Sequence, residues 1–232
     1  MLEFYCLLRE IVGETIYAAL CEKNRYDMLD LNAFNQTPLK REPYPYMVVM
    51  NSLKAESIAQ LLQDFPVLEH AGSIPVESVD YGSGFADLLK DLDSDELRQA
   101  IANKFDISLA GYPTMTTVRG VMREKDGRIH TDSKTKVITV LIYFNDEWEN
   151  DSGHLRILNN GSDIEDYVEE VPPSLGTMVV FQVTDNCWHG HKPVVGKRLS
   201  IQMNYLVGEG AKGKHEFVHG LSAKLKNFFS SK

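Results

Sequence analysis

Apolar and polar residues alternate with two different periods along this chain, and the change between them divides it. Over residues 1–22 the apolar positions have helical spacing, which predicts an amphipathic helix that docks on the protein body or on a partner chain. Residues 23–46 are polar and marked by prolines, so we expect an extended connector. The apolar run at 46–50 predicts a short strand.

Three segments in the middle of the chain have the spacing of helices. Residues 58–65 and 85–92 each place apolar side chains at i, i+3, i+4 and i+7, and Pro66 ends the first segment. A third helix is predicted from about Asp93, where that residue would open a capping box, to about Phe105. The N-terminal half is therefore expected to be mainly helical.

After Pro113 the spacing shortens to that of strands, separated by turn residues such as Asp126-Gly127 and Gly176. Helices followed by many short strands predict an α+β domain with an antiparallel sandwich or barrel. A closing helix is expected in the tail at 211–232. The predicted strands are 114–122, 136–144, 154–158, 167–171, 177–183 and 198–206.

The last predicted strand has two chemically different faces. Leu199, Ile201, Met203 and Tyr205 lie on one side, and the other side carries Arg198, Ser200, Gln202 and Asn204. A polar face of this kind belongs either to a solvent-facing strand of an ordinary sandwich or to the lining of an internal cavity. The strand alone leaves both interpretations open.

Composition narrows the class of protein. A chain of 232 residues with 43% hydrophobic and 25% charged residues fits one core-forming globular domain. The net charge of −9 argues against a nucleic-acid partner, because phosphate binding normally requires a basic face. Three widely spaced cysteines without a CxxC motif argue against a disulfide framework or a structural zinc site, and favour a cytoplasmic location. Charged residues interrupt the N-terminal segment, so neither a signal peptide nor a membrane span is expected.

Candidate chemistry is concentrated at two places in the strand region. His130 and Asp132 are two residues apart, a spacing that places both side chains on one face of a strand. His189 and His191 form a second group just before Arg198. Each group has an ordinary explanation by itself, as a solvated turn or as structural histidines. Together they supply two imidazoles and one carboxylate, the facial triad of non-haem iron sites, and an arginine suited to bind a carboxylate in a bidentate manner.

The stretch from about Tyr112 to Leu206 resembles the prolyl-4-hydroxylase-like branch of the iron(II)/2-oxoglutarate dioxygenases. In that family the distal histidine ligand has a proline four residues later and an arginine nine residues later, a condition that His189 meets and His191 does not. The sequence blocks that carry the resemblance are 126–132, 139–145 with Trp148, 153–158, 172–173, 176–181, His189, Pro193 and Arg198.

The resemblance implies a fold, a cofactor and a set of site residues. The fold would be a double-stranded β-helix, a jelly-roll or cupin-like barrel, supported by N-terminal helices. Residues 1–45 would form a helical extension and connector, 46–210 the dioxygenase domain with a barrel core at about 112–207, and 211–232 the tail. The resemblance assigns Fe(II) to His130, Asp132 and His189, and a 2-oxoglutarate carboxylate to Arg198 and Tyr143, with Gln202 as a further pocket residue.

The implied reaction is hydroxylation of a prolyl peptide or a small molecule, with O2 and 2-oxoglutarate as co-substrates and succinate and CO2 as products. Ascorbate is a candidate reductant, and a homodimer through the N-terminal helix is a candidate assembly. A nucleic-acid demethylase is disfavoured, because the chain is acidic and no second arginine follows Arg198 on its strand. The alternative is a metal-binding β-barrel without enzymatic activity; succinate release from 2-oxoglutarate distinguishes the two.

Overall fold

The computed structural model describes residues 28–146 and 148–208. The helix predicted at 1–22, the tail at 211–232 and the candidate dimer contact through the N-terminal helix lie outside these residues. Within the described part no helix is both long and apolar enough to cross a membrane.

Residues 28–146 and 148–208 contain four α-helices and nine strands, and the helices precede most of the strands. The helices are α1 (Leu31–Gln36), α2 (Ile58–Asp64), α3 (Ser83–Leu92) and α4 (Asp95–Phe105), with short 3-10 turns at Ala55–Ser57 and Val76–Ser78. Nine strands follow the order β1 (Tyr46–Val49), β2 (Ile74–Pro75), β3 (Thr114–Met122), β4 (Lys136–Tyr143), β5 (Leu155–Leu158), β6 (Tyr167–Val171), β7 (Met178–Gln182), β8 (His189–Gly190) and β9 (Gly196–Leu206).

The strands form two antiparallel sheets that face each other. The larger sheet has the order β1-β7-β4-β9-β3-β2, and the smaller has the order β6-β5-β8. The two sheets do not close into one continuous barrel. This arrangement confirms the α+β class and the double-stranded β-helix that the sequence predicted, with the helices on one side of the larger sheet.

Side-chain alternation on β4 and β9 gives the larger sheet one face that packs against the helices and one face that points to the other sheet. Ile138, Val140, Ile142 and Phe144 from the β4 segment pack with the helices in the main core, as do Ile201, Met203 and Tyr205 from β9. The intervening residues face the other sheet. Because successive side chains in a strand point to opposite faces, one strand supplies both a dry core and a polar interior surface.

Two local predictions from the sequence are wrong. Residues 31–36 of the expected extended connector form α1, whose N-cap is Asp30; its Oδ1 accepts hydrogen bonds from the backbone N–H groups of Asn32 and Ala33. Helix α4 is capped by Ser94 and not by Asp93, because the Ser94 side chain accepts a hydrogen bond from the backbone N–H of Leu97. The predicted strand ends shift by one or two residues at several places.

Replacement of Ser94 by alanine should destabilise the protein measurably. The serine Oγ accepts from Leu97 N at 3.2 Å and donates to the backbone carbonyl of Asp91 at 2.6 Å. Loss of an N-cap of this kind costs about 1 kcal/mol in the free energy of unfolding. Urea unfolding would measure the change, with Ser108→Ala as the control because Ser108 is exposed in a loop. Equal stability of the two variants would contradict the assignment of the cap.

Candidate active site

His130, Asp132 and His189 converge on one point between the two sheets. One ligand atom from each residue lies within 4.8 Å of the others, and in the described part of the chain this is the one group of three or more such side chains that could hold a metal ion. His130 precedes β4 and pairs through its backbone with His189 at the start of β8. The reciprocal hydrogen bonds of this bridge, both 3.0 Å, bring the two imidazoles to a ring separation of 4.3 Å.

Backbone carbonyls fix the orientation of both imidazoles. His130 Nδ1 lies 2.8 Å from the carbonyl oxygen of Arg128, and His189 Nδ1 lies 2.8 Å from that of Cys187. A carbonyl oxygen can only accept, so Nδ1 carries the proton in each ring and Nε2 presents its lone pair. Burial, with the neighbouring His130, lowers the pKa of His189 to about 4, so this imidazole is neutral at physiological pH. A neutral imidazole with a free Nε2 is the form that binds metals.

Asp132 is held as a buried carboxylate. Burial by itself acts to raise the pKa of this group, but Lys136, His189 and the hydroxyl of Thr139 outweigh that effect and lower the pKa to about 2. Lys136 Nζ donates to Oδ1 at 3.0 Å, and Thr139 Oγ1 donates to Oδ2 at 2.5 Å. Thr139 Oγ1 is also 3.0 Å from Asn204 Oδ1; its single proton goes to the carboxylate, since a charged acceptor makes the stronger hydrogen bond.

The donor set fits iron(II). Two imidazoles and one ionised carboxylate, each oriented by a second hydrogen-bonding group, form the 2-His-1-carboxylate set that binds non-haem iron and leaves coordination positions open. The cluster contains no thiolate, which argues against a structural zinc site of the common type.

Arg198 lies in the same cavity, deep on β9, with its guanidinium fixed at one edge. Its Nε donates to the backbone carbonyl of Gly153 at 2.9 Å, and Nη2 donates to the hydroxyl of Tyr143 at 3.1 Å. Gly153 has a φ of +82°, and a Cβ there would approach the Trp148 ring to 2.7 Å, so the approach of this carbonyl depends on glycine. Among the described residues no carboxylate lies within 4.0 Å of Arg198.

Tyr143 and Arg198 form a buried recognition pair. Both side chains are almost completely inaccessible to solvent, and the guanidinium carbon lies 4.8 Å from the centre of the tyrosine ring. Burial raises the pKa of Tyr143, although Arg198 acts in the opposite direction, so the hydroxyl keeps its proton. The end of the guanidinium that binds neither Gly153 nor Tyr143 is available to a carboxylate from a small molecule.

A cavity of about 180 Å³ connects these groups. All residues that the sequence singled out for metal or co-substrate binding line it, including Gln202, and His191 lines it as well. Trp148 and Trp188 do not line this cavity: Trp148 Nε1 donates to the carbonyl of Ser152, and Trp188 packs beside Gly161. The polar face of β9 is therefore a cavity lining, which decides between the two interpretations that the sequence left open.

The cavity residues that were not identified as site residues from the sequence include Lys136, Thr139 and Arg119. The alternation of β4 does place Thr139 on the face of Tyr143, so its position could have been read from the strand pattern. The contact of Lys136 with Asp132 depends on the turn between them, and no short-range pattern predicts that contact.

Comparison with known proteins agrees with this geometry. Residues 119–206 match the family model described as the 2OG-Fe(II) oxygenase superfamily. No curated protein is significantly similar in sequence to this chain.

Several prolyl hydroxylases have similar structures. A prolyl 4-hydroxylase from Phytophthora capsici aligns at 15% identity with a TM-score of 0.50, over 79% of this chain and 64% of that chain, which supports the fold. A Pseudomonas putida prolyl-4-hydroxylase aligns at 18% identity and a TM-score of 0.49, over 69% of this chain and 85% of that chain. A Trichoplax adhaerens prolyl hydroxylase, in complex with a peptide fragment of the hypoxia inducible factor oxygen degradation domain, aligns at 16% identity and a TM-score of 0.49, over 78% and 90% of the two chains.

Residues 119–206, the segment that matches the 2OG-Fe(II) oxygenase model, include the metal cluster, Tyr143 and Arg198. The fold is similar to that of a prolyl 4-hydroxylase. The matched segment therefore supports the enzyme class of the 2-oxoglutarate-dependent dioxygenases.

Replacement of Thr139 by valine should weaken metal binding without loss of a ligand. The substitution keeps the shape of the side chain and removes the hydrogen bond to Asp132 Oδ2. Loss of such an outer hydrogen bond typically lowers metal affinity by about 10- to 100-fold. Titration with Co(II), followed by its visible absorption, would measure this change.

The matched control is Thr116→Val, because Thr116 lies on β3 opposite Met203 and does not line the cavity. If Thr139→Val and Thr116→Val bind Co(II) as tightly as the unaltered protein, the hydroxyl of Thr139 has no role in holding the carboxylate.

Proposed function

We propose that His130, Asp132 and His189 bind Fe(II) in a hydroxylase that uses 2-oxoglutarate and O2. The observation that carries this proposal is the position of a buried arginine, in contact with no carboxylate of the described residues, in the same cavity as a two-histidine, one-carboxylate cluster. The cluster is suited to a divalent metal and the arginine to a carboxylate. A single ligand that chelates a metal and ends in a distant carboxylate, as 2-oxoglutarate does, satisfies both ends of the cavity.

Arg198 and Tyr143 would bind the distal carboxylate of 2-oxoglutarate. Arg198 is already oriented by the Gly153 carbonyl, so its remaining N–H donors can bind the two carboxylate oxygens with little loss of side-chain freedom. The Tyr143 hydroxyl keeps its proton and can donate to one of the same oxygens. Gln202, two residues beyond Ser200 on the same face of β9, would border the co-substrate.

The remaining residues would hold the reacting groups and exclude water. When bound, the metal and 2-oxoglutarate supply the oxidising chemistry that converts a substrate C–H group to an alcohol, with succinate and CO2 as co-products. Asp132 stays ionised through Lys136 and Thr139, and backbone carbonyls at Nδ1 orient both imidazoles so that Nε2 would bind the metal. The substrate would be a small molecule or one side chain of a peptide, because a cavity of about 180 Å³ that also holds the co-substrate leaves little further room.

Succinate release from 2-oxoglutarate in the presence of Fe(II), O2 and ascorbate tests this function. We expect slow release without added substrate, because the proposed metal and co-substrate ligands line one cavity of this chain. A protein that binds Fe(II) but releases no succinate, with or without candidate substrates, would favour the alternative of a metal-binding barrel without enzymatic activity.

Asp132→Ala and Arg198→Ala should impair succinate release in different ways. Asp132→Ala removes a metal ligand and should abolish Fe(II) binding and turnover together. Arg198→Ala should leave metal binding intact and raise the 2-oxoglutarate concentration required by about 10- to 100-fold, the size of effect expected from loss of a charged hydrogen-bonding partner. Metal titration and 2-oxoglutarate kinetics separate the two effects, and equal, mild losses in both variants would contradict the assigned roles.

A further inference from the structure

A second arginine, Arg119, lies in the same cavity on the neighbouring strand. In the paired strands Arg119 is directly opposite Ser200 on β9, and Ser200 is in turn opposite Tyr143 on β4. Residues directly opposite in neighbouring strands have their Cβ atoms about 4.5–5.5 Å apart on the same face. Arg119 therefore faces the interior beside the pair formed by Arg198 and Tyr143, and it lines the cavity.

In the described part of the chain no counter-charge contacts the guanidinium of Arg119. The side chain is half-buried, its Nε is buried and has no hydrogen-bond partner, and no carboxylate of the described residues lies within 4.0 Å of its guanidinium nitrogens. Burial lowers the pKa of Arg119; Asp126 acts to raise it and Arg198 to lower it further. Partial removal of a cation from water without a partner is costly, and an anion bound to it would offset that cost.

Arg156, which does not line the cavity, is a buried arginine that is neutralised by carboxylates and can be compared with Arg119. Arg156 is 5% exposed, and two carboxylates neutralise it: Glu170 at 2.6 Å and Glu165 at 3.0 Å. Its side chain also donates to the carbonyl of Ile164. Among the described residues Arg119 has neither kind of partner, so its guanidinium is available to a ligand that enters the cavity.

The side chains that line the cavity carry an excess of positive charge, which favours binding of an anion in addition to 2-oxoglutarate. Three cationic side chains (Arg119, Lys136 and Arg198) line the cavity with one carboxylate, Asp132. The two positive charges of Fe(II) and the two negative charges of 2-oxoglutarate cancel, so their binding leaves this excess of positive charge unchanged. His191 adds none at physiological pH, because burial lowers its pKa to about 4.

We propose that Arg119 binds a carboxylate of the primary substrate, so that the enzyme oxidises an acidic compound. This inference rests on the proposed function for the identity of the ligand at Arg198, and it adds the substrate class. An arginine binds a carboxylate through two parallel hydrogen bonds, which would fix the position of the substrate relative to the metal.

The surface next to the cavity is locally basic, which agrees with an anionic substrate. A second, more open cavity shares Gly127 and His191 with the first, and it is lined by four basic and two acidic side chains. Two of the basic residues, Lys125 and Arg128, are exposed. In a chain with a net charge of −9, a locally basic entrance favours the approach of an anion.

Binding of simple carboxylates to the loaded protein tests the proposal. The protein is saturated with Zn(II), which has no redox chemistry, and with N-oxalylglycine, an unreactive analogue of 2-oxoglutarate. Acetate, propionate and benzoate are then compared with their primary amides by thermal shift and calorimetric titration. We expect at least one carboxylate to bind and its amide to bind far more weakly.

Arg119→Gln should lower the affinity of that carboxylate by about 10- to 100-fold, the effect of losing a charged partner. Arg119→Lys should have an intermediate effect, because a lysine keeps the positive charge but cannot bind a carboxylate through two parallel hydrogen bonds as a guanidinium does. Arg41→Gln is the matched control for net charge, since Arg41 is exposed and far from the cavity lining. If Arg119→Gln does not fold, the comparison of Arg119→Lys with Arg41→Gln decides.

Two results would overturn the proposal. If carboxylates stabilise the Arg119→Gln variant to the same extent as the unaltered protein, they bind at another place, for example at the metal. A loss of N-oxalylglycine affinity in Arg119→Gln as large as that in Arg198→Ala would assign Arg119 to the co-substrate. If N-oxalylglycine binds neither the unaltered protein nor Arg198→Ala, the proposed function fails, and the carboxylate series on the protein without it still tests Arg119.

Discussion

The pairing of β9 between β3 and β4 is the constraint on which the site depends. Because β9 is bonded on both sides, Arg119, Ser200 and Tyr143 lie in one row across three strands. The side chains that alternate with these residues along each strand point to the other face of the sheet and pack into the core under the helices. A shift of one residue in this register would point the polar side chains toward the core and the apolar side chains toward the cavity. The hydrophobic core and the binding chemistry are therefore fixed by the same hydrogen bonds.

The cavity separates two kinds of charge. At one end a carboxylate, Asp132, stays ionised despite its burial because Lys136 and Thr139 stabilise it, and this end is suited to a cation. At the other end Arg198 is buried and Arg119 is half-buried, and no carboxylate of the described residues contacts either guanidinium, so this end is suited to anions. A charge withdrawn from water without a partner is costly, so an anion bound at this end would be stabilising. The two ends of the cavity therefore favour ligands of opposite charge.

The sequence predicted the parts of the fold that follow from periodicity. The alternation over 198–206 placed Arg198 and Gln202 on one face, and the structure confirms that face as the cavity lining. The family resemblance, through the positions of Pro193 and Arg198, favoured His189 over His191, and the structure places His189 in the cluster with Asp132. Local predictions were weaker: helix α1 has too few residues for a clear period, and Ser94 and Asp93 are both good capping residues. Arg119 was not identified because its significance comes from what fails to contact it, which only the packed structure shows.

The carbonyl contacts of His130 and His189 make the metal ligands part of the strand framework. Both rings are oriented by backbone groups close to the bridge that joins the two histidines, and Lys136 holds the carboxylate of Asp132. Small metal-dependent domains, by contrast, build their sites only as they fold around the ion. Here the pairing of the chain orients the ligands, so little side-chain entropy would be lost on binding of an ion.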